Sequence, residues 1–552
     1  MKAVSYIRLT SNVLVILLVI SVVITVMKTN GFFPETFYIF ALGLAVYFLT
    51  ALLSNLLGKL FSDAIIIVLS VVCVYELYLG IGQILGLSTS NHFLFKMTGS
   101  FPNPGPFGAF LSISVSLIVS FHYKYKDSMH KVLSSNYFLI ATKIIVCLAL
   151  IILALTHSRA AILSLLCSAV LFVTGADVIR TRVFRFIKRR LLLLISAVFV
   201  VGAGFYLIKK PSADGRLFID RISIKAMSHN DWKGAGLDRF GGEYGEAQAS
   251  YFKRQIEENG QDPFDWKAIN RHERLTSDCP TNAFNEYLNM GIELGAVSLF
   301  LFVAIIVIAI VISFKRGTIW CYGILSLAVF ALFSYPLHIR FFQILLAVLL
   351  AAGVADRNQT GACVPDLMFT ASAFFITSLF LALNTDEIRK YIQAEKMWKE
   401  TRGLYDQKYY EFVVEDCDSI GRYMSHDRSL LFAYGESLNK MGNWSKSDSV
   451  LMKGAEISAD PVFWTQMGDN SLATGDFDEA ERCYKHAFYM VPNRLYPLYL
   501  LAKLYNQKGD TEKFLFMADK VESFIPKIES ANTEKMRNEI NDMKKKCLDS
   551  QR

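Results

Sequence analysis

Residues 214–252, DGRLFIDRISIKAMSHNDWKGAGLDRFGGEYGEAQASYF, decide the fold, because they are polar and yet lie between long apolar runs. They belong to a segment, about residues 209–289, that is charged, aromatic and Gly-rich. The hydrocarbon of a bilayer offers no partners for the polar groups of such a segment, so it must lie outside the membrane. The sequence therefore predicts a large extramembrane loop between two membrane spans, and such a loop usually acts on something at the membrane surface.

The rest of the chain has the composition of a polytopic membrane protein. Of its 552 residues, 53% are hydrophobic, and long apolar stretches are typical of membrane proteins. Eleven stretches reach or approach the length that a helical span needs, which is about 17 residues or more. The predicted spans are residues 11–27, 36–57, 64–86, 106–122, 137–155, 159–176, 191–208, 292–314, 318–335, 341–356 and 366–384.

The distribution of basic residues predicts the orientation. If the N-terminus is cytoplasmic, the inside loops hold most of the Lys and Arg, above all the run from Arg180 to Arg190. This asymmetry follows the positive-inside rule. We interpret the run as a topological anchor at anionic lipid and expect no nucleic-acid partner. Eleven spans then leave the large loop and the C-terminal region outside, whereas a miscount of one span would move the C-terminal region to the cytoplasm.

After about Asp386 the long apolar runs stop and helical periodicity takes over. Gly442, Gly475 and Gly509 recur at intervals of 33 and 34 residues, and prolines follow at positions 461, 492 and 526. A period near 34 with Gly in the turn resembles the tetratricopeptide repeat, whose helix pairs stack into a solenoid. The sequence thus predicts four units: spans 1–7 (1–208), a large loop (209–290), spans 8–11 (291–385) and a repeat domain (386–552). Such a solenoid would serve as a docking surface for a partner, or merely as a spacer.

Arginine is the residue type that suggests chemistry in this chain. Arg216 and Arg221 lie near the start of the loop, and Arg159 lies in ALTHSRAAIL, where two spans are joined by almost nothing. A juxtamembrane Arg ordinarily pairs with lipid headgroups, but its planar fork also clamps phosphate groups. An Arg held in so tight a turn requires a fixed anionic partner, either a carboxylate of the loop or a diphosphate ligand.

Four sequence pieces, in order, resemble the superfamily of O-antigen ligases, O-antigen polymerases and O-linked oligosaccharyltransferases. They are FPNPGPFGAFL (101–111), THSRAA (156–161), GRLFIDRISIKAMSHNDWKGAGLDRF (215–240) and NAFNEYLNMGIELGAVSL (282–299). The turn SYPLHIRFF (334–342) is similar to a turn of the protein-glycosylating branch. The resemblance covers about residues 100–350. It implies an all-α enzyme of the bacterial inner membrane, with a periplasmic loop and periplasmic C-terminal repeats.

The resemblance implies transfer of a glycan from undecaprenyl diphosphate to an acceptor on the periplasmic side. Arg159 and Arg216 would stabilise the departing diphosphate without a metal ion or other cofactor. Arg221 would be a third cation or a structural neighbour. The remaining residues that we expect to contact substrate are Asn103, Trp232, Tyr244, Asn285, Tyr287, His338 and Arg340. The acceptor would be the lipid A core, a growing glycan or a protein, and the repeats would offer a site for a protein partner.

One departure from the family concerns the base. The family's ligases carry a His at the loop exit, where this chain has Phe284, which cannot accept a proton. Glu286, the first choice here, would then act as base, or else one of His229, His272 and His338. Alternatively, the acceptor needs little activation, or the activity has been lost. Two hypotheses outside this chemistry are a transporter of lipid-linked sugar and a membrane scaffold that presents the repeats.

Overall fold

The computed structural model describes residues 2–28, 34–125, 136–175, 210–229, 231–354 and 364–549, together with four single positions between 196 and 207. Within these ranges every regular element is a helix, and there is no strand. The all-α class predicted from the apolar runs and the helical periodicity is therefore confirmed. The predicted span at 191–208 and the basic run at 180–190 lie outside the described residues, apart from those single positions.

The described helices before and within the large loop are α1 (Lys2–Lys28), α2 (Pro34–Leu57), α3 (Lys59–Ile84), α4 (Pro104–Tyr125), α5 (Asn136–Leu155), α6 (Arg159–Gly175), α7 (Lys210–His229), α8 (Phe240–Asn259) and α9 (Arg271–Thr276). The apolar helices after the loop are α10 (Glu286–Lys315), α11 (Trp320–Ala331), α12 (Arg340–Val354) and α13 (Val364–Leu383), with a short 3-10 turn at Pro336–His338. The large loop is therefore a small helical structure that is inserted between apolar helices.

Several of these helices suit a membrane. Among the described residues, five are long and apolar enough to cross it, and a sixth is added if Leu367–Leu383 and Thr385–Asp406, bent by 50°, count as one span. The helix Trp320–Ala331 has only 12 residues, about 18 Å of length, which is less than the roughly 30 Å of hydrocarbon. The chain is thus a multi-pass membrane protein, and the number of eleven spans stays a prediction.

The short helix α11 lies at the centre of the bundle, packed against α4, α6 and α10. The Ser168 hydroxyl donates to the Tyr322 carbonyl at 3.0 Å, and Gly323 lets the side chain of Leu117 approach closely. Because helices α4, α6, α10 and α12 all begin where α11 ends, their first residues meet at one end of the bundle. We call this the loop end, since α7 and α8 pack on α10 and α9 packs on α7.

The C-terminal region consists of antiparallel helix pairs, and each helix contacts the next one along the chain. Its helices are α14 (Thr385–Asp406), α15 (Tyr410–Ile420), α16 (Arg428–Lys440), α17 (Trp444–Ile457), α18 (Val462–Thr474), α19 (Phe477–Met490), α20 (Tyr496–Lys508), α21 (Thr511–Ser523) and α22 (Ala531–Asp549). Gly442, Gly475 and Gly509 take φ values of 76°, 82° and 76° in three of the turns, a conformation that favours Gly. That this array is a tetratricopeptide-type solenoid stays a prediction.

The large loop and the C-terminal region share one hydrophobic core, in which Phe252 of α8 and Phe488 of α19 both lie. Helix α8 approaches the end of α17 so closely that a Cβ on Gly242 would lie 2.1 Å from the Glu456 carbonyl oxygen. The buried Gln248 amide donates to the Met490 carbonyl at 2.6 Å. Part of the surface that the repeats could offer to a partner is therefore occupied by the chain's own loop, while the predicted domain limits stay predictions.

Candidate functional site

The turn before α6 and the start of α4 pack directly on each other. Gly108 leaves room for the turn, because a Cβ there would lie 3.1 Å from the Ala161 Cβ and 3.2 Å from the Ser158 Cβ. The Ser112 hydroxyl donates to the Ala161 carbonyl at 2.8 Å. Two of the four sequence pieces thus form one unit of the loop end, and Arg159 is the first residue of α6 in it.

Arg216 extends from α7 to this unit. Its Nη1 donates to the carbonyl of Phe333, at the end of α11, at 2.6 Å. Burial of the guanidinium lowers the pKa of Arg216, and so does the charge of Arg159 nearby. An Arg stays charged in spite of such shifts. The structure therefore places Arg159 near Arg216, and the carboxylate of Asp220 also acts on Arg216 and raises its pKa.

Phe284 lies against Arg216, with the guanidinium carbon 5.2 Å from the centre of the ring. A cation over an aromatic face is stabilised by the ring's electron density. Phe284 has a φ of 51°, which is uncommon for a residue other than Gly. The residue at the position of the family's His therefore holds the orientation of a cation and has no part in proton transfer.

Tyr335 connects these pieces, although the sequence indicated it only as one polar member of a turn. Its hydroxyl accepts a short hydrogen bond from the Asn103 amide, and its ring meets the ring of Phe284 edge to face at 5.6 Å. The Asn103 oxygen accepts from the Gly105 amide at 2.9 Å, which fixes the start of α4. Asn103 and Tyr335 thus position the turn next to Arg216.

Glu286 and His338 form a pair on the other side of this aromatic contact. The Glu286 side chain is 4% exposed and lies 3.4 Å from Nδ1 of His338, whose side chain is 37% exposed. Glu286 also accepts a hydrogen bond from the Leu337 amide. Partial burial lowers the pKa of His338, but the hydrogen bond and charge of Glu286, together with Glu293 and Asp238, outweigh this and raise it to about 9.

Gly234 of the third sequence piece and Gly295 of the fourth lie in close backbone contact. Helix α10 breaks at Gly295, which has a φ of 83°, and Gly234 crosses the break with a φ of 86°. The Ala235 and Gly236 amides donate to the carbonyls of Ile292 and Glu293, both at 2.8 Å. The Gly-x-Gly stretch (234–236) and the Glu-x-Gly stretch (293–295) therefore form one backbone contact, which holds the loop on α10.

Replacing Gly295 with Ala should destabilise the protein although no site side chain changes. A Cβ there would lie 2.6 Å from the Lys233 carbonyl oxygen, in a backbone conformation that disfavours side chains. We expect a loss of about 1–3 kcal/mol, measured as a lower melting temperature of the full chain in detergent. Gly403→Ala is the control, because no atom lies within 4 Å of its added Cβ. Equal melting temperatures for both variants would contradict this account of the contact.

Two residues that the sequence assigned to substrate are engaged elsewhere. Tyr244 is 0% exposed, and its hydroxyl donates to Gln248 inside the core that the loop shares with the C-terminal region. Arg221 pairs with Glu273 at 2.5 Å on the side of α7 near Tyr251. The prediction for Tyr244 is thus corrected, because a fully buried ring cannot contact a substrate. Arg221 fits the alternative of a structural neighbour.

Two more of the predicted residues stabilise α10, the helix that follows the loop. Asn285 caps α10 by accepting from the amides of Tyr287 and Leu288, and the Tyr287 hydroxyl donates to the Ala328 carbonyl at 3.0 Å. Both side chains therefore hold the start of α10 in place, and their assignment to substrate stays a prediction. Trp232 keeps a half-exposed side chain, and Arg340 begins α12 at the loop end, so their roles stay predictions.

The candidates for the base differ in their positions relative to the arginines. His272 is 63% exposed and faces Asp214 at 3.4 Å, and His229 is the last residue of α7. Only Glu286 and His338, among the described candidates, lie together and beside the Phe284–Tyr335 contact. The site therefore has two cations on one side of an aromatic pair, and a His held by a carboxylate on the other side.

One comparison with known proteins bears on this site. Residues 144–303 match the family model described as O-antigen ligase, which confirms the resemblance to that superfamily. The matched range contains Arg159, Arg216, Phe284 and Glu286, but ends before His338. It indicates an envelope glycosyltransferase of the ligase or polymerase type. No curated protein matches the chain.

Proposed function

We propose that this chain, which carries an O-antigen ligase domain at residues 144–303, moves a glycan from undecaprenyl diphosphate to an acceptor on the periplasmic side. The observation that carries the proposal is the meeting of Arg159 and Arg216 at the loop end. The Asp220 carboxylate offsets part of the repulsion between the two guanidinium groups. The two cations are well placed to receive a ligand with two adjacent negative groups.

The proposed topology agrees with this arrangement. Eleven spans with a cytoplasmic N-terminus would put the loop end, the large loop and the C-terminal helices on the periplasmic side of the inner membrane. The polar residues of the site lie at the starts of α4, α6, α10 and α12, which favours an active site at the membrane surface. A polyprenyl tail could then remain in the bilayer while its diphosphate lies between the arginines.

The reaction needs stabilisation of a leaving group. The bond between the anomeric carbon and the phosphate oxygen breaks, and undecaprenyl diphosphate departs with concentrated negative charge. Cations that are already oriented stabilise such charge without reorganising during the reaction. Arg216 is oriented by the Phe333 carbonyl and the Phe284 ring. We propose that this fixed pair of cations, and not a metal ion, carries the stabilisation.

The acceptor hydroxyl attacks the anomeric carbon and loses its proton to a base. In the proposal Glu286 holds the Nδ1–H of His338, so that Nε2 of the ring receives the proton. This is the division of roles between carboxylate and imidazole that proteases use. Glu286 is thus a positioning residue, and His338 takes over the role that Phe284 cannot perform. The three acidic groups around the ring, Glu286, Glu293 and Asp238, favour the charged product of this step.

The alternatives of a polysaccharide polymerase and a protein O-oligosaccharyltransferase share this chemistry and differ in the acceptor. A scaffold would have no use for a carboxylate-bound His beside the arginine pair, so this pairing, with Nδ1 and the carboxylate 3.4 Å apart, counts against a scaffold. Coupled transporters also use such pairs, but the match to the O-antigen ligase model favours an enzyme over a transporter of lipid-linked sugar.

The test compares a deletion strain that carries the wild-type gene, Arg216→Ala or an empty vector. Lipopolysaccharide, free polysaccharide and glycoproteins are analysed in each strain, with immunoblots showing that the variant protein is made. We expect one glycan class to vanish or shorten in both the variant and the empty-vector strain. Loss of long-chain lipopolysaccharide indicates a ligase, capping by a single unit a polymerase, and unmodified proteins an oligosaccharyltransferase. Full restoration by Arg216→Ala would refute the proposal.

A further inference from the structure

A cleft of about 500 Å³ runs from the loop end to the first helices of the C-terminal region. Asp238, Glu293 and His338 line one end of it, and Tyr391 and Trp398 of α14 line the other. Its size lies in the range of about 300–1,000 Å³ that is typical of small-molecule sites. The proposed base therefore faces a cleft that reaches from the membrane-embedded domain into the region beyond the family match.

The lining of the cleft is aromatic and polar, and its charges balance. Trp398 and Tyr391 line the cleft from the core beneath it, with only 5% and 8% of their surface exposed, while Lys399, Arg402 and Glu395 project from the same face of α14. Lys399 is already paired with Glu395 at 2.9 Å. A lining of mixed sign does not select a polyanion. It offers hydrogen-bond donors and acceptors of both signs of charge, which suits a ligand with many hydroxyl groups and little charge.

We propose that this cleft binds the acceptor as a neutral oligosaccharide, with the reacting hydroxyl at His338 and the sugar chain extending toward Trp398. The proposal rests on the proposed function, because it takes His338 as the base. It assigns to the first helix pair of the C-terminal region a direct part in binding substrate. It also explains why the loop and the C-terminal helices share a core: one rigid unit keeps both walls of the cleft at a fixed separation.

The geometry of α14 supplies matched variants. Arg402 lines the cleft, whereas Arg389 lies on the same helix, outside the lining, in an exposed pair with Asp386. Thr281, on the opposite wall, is exposed, so that Thr281→Trp would fill the cleft without disturbing the core. Arg402→Ala and Thr281→Trp therefore test the site, and Arg389→Ala controls for the loss of an arginine from α14.

The experiment measures fluorescence anisotropy of an oligosaccharide with the full chain in detergent. Two probes are labelled at their reducing ends: the oligosaccharide released by mild acid from the lipid-linked glycan of the deletion strain, which a polymerase would accept, and the core oligosaccharide released from its lipopolysaccharide, which a ligase would accept. We expect wild type, Arg389→Ala and the transfer-deficient Arg216→Ala to bind one of these probes equally. Arg402→Ala and Thr281→Trp should raise Kd at least about tenfold, and unlabelled oligosaccharide should compete while a Ser/Thr-rich peptide should not.

The outcomes separate this inference from the proposed function. Equal binding by Arg402→Ala, Thr281→Trp and wild type would refute the cleft as the site, and so would the absence of binding by wild type. Competition by the peptide alone would refute a sugar acceptor. None of these results concerns the arginine pair, since Arg216→Ala fails in transfer whether or not the cleft binds sugar. Melting temperatures of the variants show that weaker binding does not reflect unfolding.

Discussion

Replacing Glu286 with Gln should shift the acidic limb of the pH–rate profile to lower pH and reduce the maximal rate. In the wild type, His338 has a pKa of about 9, so the neutral ring that can accept a proton is scarce below that pH. The rate should therefore rise with pH and level off above about 9. Gln keeps the shape of the side chain but removes its charge, and the pKa of His338 then falls because its principal stabilising partner is gone.

The measurement is the initial rate of glycan transfer by the reconstituted protein, with the natural lipid-linked donor, across the neutral and alkaline range. His338→Ala should lower the rate about 10²-fold or more, the usual contribution of a general base, and should abolish the limb. His272→Ala is the control, because His272 is exposed and pairs with Asp214. A profile with the same limb in His338→Ala and wild type would contradict the assignment of the base.

The sequence was a good guide to the elements and to the arginines. Apolar length predicted each of the five described helices that are long and apolar enough to cross a membrane, because burial in lipid is read directly from composition. The order of the motifs identified Arg159 and Arg216 as candidate site residues, although they are 57 residues apart in the chain (216 − 159). Each of them stands at a helix or loop boundary, where a polar side chain beside apolar helices is itself unusual. Local signals of this kind need no knowledge of the tertiary fold.

The partners of these residues could not be predicted in the same way. Phe284 contacts both Arg216 and Tyr335, and each of the three comes from a different segment. Tyr244 shows the opposite error, since an aromatic residue in a polar Gly-rich segment resembles an exposed ligand. The glycines around it allow close packing on the C-terminal helices, and so it is buried. Composition alone does not distinguish a solvated loop from one that packs against a distant part of the same chain.

Arg216, for which we propose contact with the diphosphate, should not tolerate lysine. Arg216 donates to the Phe333 carbonyl and lies over Phe284, and Arg159 is close enough to lower its pKa. A lysine keeps the charge but presents a single ammonium group, which cannot hold these contacts and a phosphate in one plane. We expect Arg216→Lys to lower the rate of transfer about 10²–10³-fold, the cost of losing one preorganised donor.

Arg221→Lys is the matched control, because the same helix carries it and its ion pair with Glu273 can be kept by lysine. The pair is partly exposed, and such pairs contribute about 1 kcal/mol or less to stability, so transfer should stay close to wild type. If both substitutions lowered the rate of transfer equally, the rate would depend on charge at the surface of α7 and not on the planar guanidinium of Arg216. A loss confined to Arg216→Lys, with an unchanged melting temperature, requires a planar cation at this position. A ligand with two adjacent anionic groups is what such a cation, beside Arg159, is suited to bind.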